Sequence, residues 1–365
     1  MAAKYRVAII GTGRAGGLIE DERPPGLDHN KPKGHLPAYE SIAETEVIAV
    51  ANRGAERLER FSQRFGISST YLDYREMIEM EHPDIVSVTT PSVARAEPII
   101  FCAEHGVRGI YAEKGLCASL AEADRVRDAL KANNVAFNWG TMRRHYANYK
   151  TMQAALGRGA IGERRFAVVH FYTDLIKHHP HVLDLAAMML GDPVPVWVEG
   201  RLAEPDDPSE IGSKRFPTYD PKGHRYLPPP GEELADPMVG FYRVGYENGA
   251  EACFVPHAGP LDIEVLGTEG RAWSWDDGAD MRIRRGARRS VEISETIIHR
   301  SGESPTVSTI RNILHELDTG ERTAGNIDIT MQSVEVQFGL AHSHLQGGAR
   351  VSLPVADRSL YIPGG

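Results

Sequence analysis

Cysteine is scarce in this 365-residue chain. Cys102, Cys117 and Cys253 form no CxxC pair and no metal-finger spacing, which excludes a disulfide framework and points to a reducing compartment. Long apolar runs are missing too: none approaches the roughly 20 residues that cross a bilayer. Positive charge is in deficit, with 41 Lys and Arg against 50 Asp and Glu and a net charge of -9. Such a balance argues against general affinity for nucleic acid or an anionic membrane. The opening stretch, MAAKYRVAIIGTG, lacks the charged and apolar regions of a secretory leader, so a cytoplasmic location is expected. Internal repeats and low-complexity tracts are absent.

What is present is an ordinary globular composition, 41% hydrophobic and 25% charged, in a chain long enough for two cores. The first third alternates short apolar runs with helical spacing, the pattern of a parallel α/β sheet. Strands are expected at 6–10 (RVAII), 46–51 (EVIAVA), 85–89 (IVSVT) and 109–112 (GIYA), and helices at 55–65 and 96–105. The stretch 20–34 (EDERPPGLDHNKPKG) interrupts this order. Pro24, Pro25 and Pro32 forbid a continuous helix there, and an insertion so placed lies near the mouth of a cleft or is plain surface loop. After about residue 140 the pattern changes to half-buried alternation, at 166–171, 196–199, 239–246, 251–255 and 261–266. A long polar loop is expected over 205–237, a closing helix over 327–346 and a last short strand near Val351.

Gly11-Thr12-Gly13-Arg14-Ala15-Gly16 is a G-x-G-x-x-G motif directly after the first strand. In this motif the first glycine permits a tight turn, the second lets backbone approach a pyrophosphate, and the third lets helix and strand pack closely. The following helix is expected to offer its N-terminal NH groups to the phosphates. The reading is therefore an N-terminal Rossmann domain, a doubly wound parallel sheet over 1–138. It is followed by an α+β substrate and oligomerisation domain over 139–365 with a large, mostly antiparallel sheet. At the end of the second strand, where a carboxylate normally holds the adenine ribose, stand Asn52 and Arg53. That favours NADP over NAD, because Arg53 offers a charge-assisted contact to a 2′-phosphate. The plainer alternative is a solvated Arg53, with NAD bound through Asn52.

Further motifs follow in order. They are Thr90-Pro91, Glu113-Lys114-Gly115, the G-x-I-G of 159–162, the H-x-x-D of His181 and Asp184, the GTEG of 267–270 and the G-x-x-V-x-L-P of 348–354. Together they resemble the glucose–fructose oxidoreductase/inositol dehydrogenase/rhizopine catabolism (Gfo/Idh/MocA) family over nearly the whole chain. The resemblance implies a cytoplasmic NAD(P)-dependent dehydrogenase of sugars, cyclitols or sugar acids, working as a homodimer or homotetramer. It also implies cofactor contacts from Thr90, Pro91, Glu113 and Lys114, with Lys114 catalytic as the lysine of the EKP motif. Family members add an aspartate and a histidine four residues apart. His181 matches the histidine, but Lys177 stands at the aspartate's place. Gly115 replaces the proline of EKP, and Arg95 stands where a histidine often follows the TP turn.

Oxidising a secondary alcohol needs a hydride acceptor and a group to take the hydroxyl proton. Histidine, with an ordinary pKa near 6.5, suits the second role. His181 is therefore the expected general acid/base, with Lys114 polarising the oxygen; a purely structural histidine is the alternative. Lys177 has three readings: a base with lowered pKa, an anion-binding ammonium assisted by Arg143 or Arg144, or a solvated side chain. The run Lys177-His178-His179-Pro180-His181 raises a metal site, but neighbouring histidines on a turn cannot easily aim at one ion, so no metal is expected. Two other functions stay open: redox-neutral glycoside cleavage with bound NAD(H), and an inactive nucleotide-binding sensor.

Overall fold

The computed structural model describes residues 4–22, 31–204, 216–286, 294–298 and 302–364. The chain forms two compact units. The first comprises Met1–Cys117, Ala121–Tyr146 and Glu303–Thr330; the second comprises Ala118–Leu120, Ala147–Gly302 and Met331–Gly365. The single cut expected after residue 138 is thus displaced, and a late segment returns to the first unit.

The first unit is built on strands β1 (Tyr5–Ile10), β2 (Thr45–Ala51), β3 (Ser69–Tyr71), β4 (Ile85–Val88), β5 (Gly109–Ala112) and β6 (Ala136–Trp139). Their order is β3-β2-β1-β4-β5-β6, and all pairs are parallel. This is the doubly wound arrangement, whose switch point lies between β1 and β4. Strands β1, β4 and β5 are apolar on both faces because both are covered. Two apolar clusters back the sheet: one packs Val7, Ile85 and Tyr111 against Tyr39, Ile310 and Ile313, and the second packs Ile9 and Val50 against Leu36, Leu58 and Phe61. The helix Pro305–Thr319, which sequence reasoning missed, therefore completes the first core. Ser304 caps it by accepting from the Val307 N–H, Pro305 fits its first turn, and Gly320 ends it in the left-handed region at φ 79°. Burying Ile310 and Ile313 completely stabilises this core by about 1.5–3 kcal/mol each.

The insertion splits the expected first helix. A short 3-10 turn covers Leu18–Glu22, and the helix itself is only His35–Glu40. The His35 and Leu36 N–H groups bond the Ala15 and Gly16 carbonyls at 3.0 Å, so residues beyond the insertion continue the turn that the glycines begin. Gly34 makes the splice possible, since a Cβ there would stand 2.9 Å from the Gly17 Cα. Residues 23–30 of the insertion lie outside the described residues.

The second unit holds β7 (Arg164–His170), β8 (Pro195–Leu202), β9 (Thr218–Asp220), β10 (Arg225–Leu227), β11 (Val239–Tyr246), β12 (Glu251–Val255), β13 (Asp262–Gly267), β14 (Gly270–Trp275), β15 (Asp280–Arg285), β16 (Ser294–Ile298) and β17 (Val351–Ser352). Nine form one sheet, β16-β15-β14-β13-β7-β12-β11-β8-β17, antiparallel except for the β7–β12 pair. β9 and β10 make a separate hairpin within the stretch expected to be loop. The wholly buried helix Pro180–Leu190 packs on β7 and β13. No helix among the described residues is long and apolar enough to cross a membrane.

Candidate active site

The glycine turn sits where β1 and β4 end side by side. Gly11 takes φ 105°, and a Cβ on it would lie 2.6 Å from the Thr89 Oγ1, so only glycine fits. Thr89 locks the turn by donating to the Gly11 carbonyl at 2.8 Å. A Cβ on Gly16 would strike the Gly11 carbonyl oxygen at 2.5 Å, whereas no described atom lies within 4 Å of the place a Gly13 Cβ would take. The buried Thr12 hydroxyl has no hydrogen-bond partner among the described residues. An open approach to Gly13 beside an unanswered hydroxyl, at the carboxyl ends of parallel strands, fits a dinucleotide's diphosphate. Arg14 is turned to Glu22 at 2.6 Å, and Ala15 and Gly16 carry the spliced helix. The regular helix expected after the motif is thus replaced by two short pieces. At the end of β2, the Asn52 amide donates to the Gly54 carbonyl at 3.1 Å and Arg53 is exposed.

A buried polar cluster lies at the ends of β4 and β5. The Glu113 carboxylate meets the His35 Nε2 at 3.3 Å, the Lys114 Nζ at 3.9 Å and the Lys114 N–H at 3.2 Å. His35 stacks on Tyr111 at 3.9 Å, and its Nδ1 lies 2.9 Å from the Ser87 hydroxyl, which donates in turn to the Tyr39 oxygen. Burial pushes the Glu113 carboxyl up, but the His35 hydrogen bond and the charges of Lys114, His35 and Arg95 outweigh it, holding it well below the usual carboxylate range. His35 and Ser87 were not singled out in the sequence. The signal available was an apolar helix start, HLPAY, that resumes the motif's pattern once the insertion is removed.

Arg95 turns from an oddity into a tie. Its guanidinium, 3% exposed, donates to the carbonyls of Thr90 and Gly115, linking the turn after β4 to the loop that carries Lys114. Burial draws its pKa down to about 10, with Glu113 opposing. The Lys114–Gly115 peptide is cis. Thr90 also donates to the Ala94 carbonyl at 3.0 Å, closing the 3-10 turn Ser92–Ala94 that Pro91 begins. Arg143 and the buried Arg144 lie on the 3-10 turn Met142–His145 after β6.

Lys177 and His181 belong to the second unit. The Asp236 carboxylate accepts from the Ile176 and Lys177 N–H groups at 2.8 and 2.9 Å, fixing the turn before Pro180 while the Lys177 side chain stays exposed. His181 sits buried in the first turn of Pro180–Leu190, three residues before buried Asp184. His179 meets the Tyr242 hydroxyl, and burial takes its pKa down to about 3, so it is neutral at ordinary pH. His178 Nδ1 lies 2.8 Å from the Asp174 carboxylate. An aspartate–histidine pair four residues apart is therefore present, three residues upstream of Lys177 and His181. The histidines of this run point to different partners, His178 to Asp174 and His179 to Tyr242.

A parallel six-stranded sheet with this glycine turn at its switch point defines a dinucleotide-binding Rossmann protein carrying a second, sheet-based domain. Residues 5–141 match the oxidoreductase family with NAD-binding Rossmann fold, GFO_IDH_MocA. The chain is 27% identical to myo-inositol 2-dehydrogenase of Thermotoga maritima over 158 residues, 43% of this chain and 42% of that protein. It is also 27% identical to D-apiose dehydrogenase of Paraburkholderia graminis over 177 residues, 44% of this chain and 47% of the relative. The chain thus matches less than half the length of these two relatives. In fold the chain is similar to levoglucosan dehydrogenase, solved with NADH and L-sorbose. The TM-score is 0.76 at 17% identity, covering 97% of this chain and all (100%) of that one.

Proposed function

We propose that this chain is an NAD(P)-dependent dehydrogenase or reductase acting on a CH–OH group of a sugar, cyclitol or sugar acid. The observation that carries the reading is the open glycine turn beside a lysine held on a buried carboxylate, both at the carboxyl ends of β1, β4 and β5. The names of the inositol and apiose relatives support the substrate class. The residues that would hold the cofactor are the glycine turn, Thr12, Asn52, Arg53, Thr90 and Pro91. The nicotinamide, when bound, supplies the hydride acceptor or donor. In the oxidising direction the Lys114 ammonium stabilises the substrate oxygen as it loses its proton, and His181 takes that proton as the carbonyl forms. The Asp174–His178 pair favours a second assignment, in which His178 is the acid/base and Asp174 holds its tautomer. Exposed Arg53, with Asn52 rather than a carboxylate before it at the end of β2, supports NADP over NAD. A cytoplasmic homo-oligomer is part of the same proposal; Phe241, Trp275 and Ile297, exposed on strands of the large sheet, support it.

The test is absorbance at 340 nm across polyols, cyclitols and sugar acids with each nucleotide, after affinities for both have been measured. Turnover of at least one substrate is expected, falling about 100-fold or more in Lys114→Ala. His181→Asn and His178→Asn then separate the two acid/base assignments by which one lowers kcat. Cofactor binding without turnover of any compound would reject the dehydrogenase reading, and clearly tighter NAD would reject the NADP preference.

A further inference from the structure

Outside the catalytic elements, the second unit gathers two histidines and an aspartate from three distant segments. His224 ends the turn of the β9–β10 hairpin in the left-handed region, at φ 48°. His342 lies in the last turn of the helix Ile327–Leu345 and is 7% exposed. Asp357 lies in the terminal segment after β17. One ligand atom from each of the three stands within 4.8 Å of the others, and this is the one such group among the described residues.

The surroundings prepare each ligand. Tyr219 OH lies 2.7 Å from the His224 Nδ1, so accepting from that nitrogen leaves the Nε2 lone pair pointing outward. The Nε2 is 2.9 Å from an Asp357 oxygen, and it makes no hydrogen bond among the described residues. The other Asp357 oxygen is already taken, accepting from the Ser359 N–H at 2.9 Å and the Ser359 hydroxyl at 2.6 Å. His342 hydrogen-bonds the Asp357 backbone, and its Nε2, buried, has no partner among the described residues. The two imidazole rings stand 5.8 Å apart at 44°. His224 and His342 each keep one imidazole nitrogen without a hydrogen-bond partner among the described residues, while the other nitrogen of each ring and one Asp357 oxygen are anchored.

We propose that His224, His342 and Asp357 bind a divalent transition-metal ion, with zinc the best match. Two imidazoles and a carboxylate are a borderline donor set that suits zinc, and three protein ligands leave a fourth position for water. A tetrahedral zinc with bonds near 2.1 Å spaces its ligand atoms about 3.4 Å apart, so closure takes movements of roughly an ångström. The ion clips three pieces of chain that the sequence separates. The terminal segment is already tied to the hairpin through Tyr226 N–H to Tyr361 O at 2.9 Å, and to the long helix through Arg358 and Glu335. Zinc adds a bond to each. Its role is to order this corner, independently of the dehydrogenase assignment.

The experiment uses the full chain without a histidine tag, stripped with a chelator and titrated calorimetrically with zinc chloride, alongside elemental analysis of the protein as purified. The expected result is one zinc per chain, with protection of residues 355–363 from hydrogen exchange when zinc is added. Asp357→Asn keeps the side chain's shape, and His224→Ala alters a partly exposed hairpin turn, so both variants fold; each lowers zinc affinity about 100-fold. Tyr219→Phe, which touches no metal, lowers it about tenfold. Far-UV circular dichroism of the zinc-free variants checks their folding. Absence of stoichiometric zinc binding overturns the proposal, and so does an affinity that Asp357→Asn and His224→Ala leave unchanged.

Discussion

Replacing Glu113 by glutamine probes the buried cluster most directly. The substitution keeps the side chain's shape and an oxygen near His35, but removes the charge that faces Lys114 and Arg95. At 3.9 Å and an effective dielectric of about 20, the attraction between Glu113 and Lys114 alone is about 4 kcal/mol. Relief of the carboxylate's own burial offsets part of this, and Lys114, 18% exposed, is partly screened by water. A net loss of about 2–3 kcal/mol at neutral pH follows, which lowers Tm by roughly 3–4 °C in a chain of this size. The pH dependence carries the sharper test. The folded-state pKa of Glu113 lies below its ordinary value of 4.5, so its contribution is complete above about pH 5 and drains away as the pH falls through the folded value. Glutamine has no proton to gain, so the gap between the two proteins must close on acidification. Urea unfolding of both proteins, followed by circular dichroism from neutral pH to about pH 3.5, measures that gap. A gap that stays constant across this range would mean that packing, not charge, is at work and would refute the reasoning.

Gly13→Ala and Gly16→Ala separate ligand approach from backbone packing. The Gly13 Cβ meets nothing within 4 Å, so the variant keeps its Tm but loses about tenfold or more in dinucleotide affinity by calorimetry. The Gly16 Cβ meets a backbone oxygen at 2.5 Å, so that variant loses about 1–3 kcal/mol of stability as well. Arg95→Met leaves the Thr90 and Gly115 carbonyls without their charged donor. A Tm drop corresponding to about 2–4 kcal/mol is expected, together with weaker nucleotide binding as the turn after β4 and the Lys114 loop loosen.

The first four long strand assignments in the parallel sheet, the glycine turn and the long terminal helix were legible because they rest on local pattern. A buried parallel strand must be apolar on both faces, and only glycine tolerates φ 105° against Thr89. The helix Ala55–Phe65 was equally plain, with Leu58 and Phe61 as its buried positions. Short β3 and the hairpin of β14 and β15 carried too little periodicity to stand out.

What the chain order hid was settled by packing at a distance. The splice that sets His35 on the Gly16 turn depends on two backbone hydrogen bonds across the insertion, and it brings to Glu113 the His35 hydrogen bond that lowers its pKa most. The return of Pro305–Thr319 to the first sheet completes an apolar cluster with Val7, Ile85, Tyr111 and Tyr39, joining segments about 200 to 300 residues apart in the chain. Asp174 with His178, and His224 with His342 and Asp357, became visible only as distances. Sequence determines the residues that prefer a strand, a turn or a helix face, because those preferences act over a few bonds. Which charges, rings and carboxylates share one space depends on chain segments up to hundreds of residues apart meeting in a common core, and that is decided by tertiary structure.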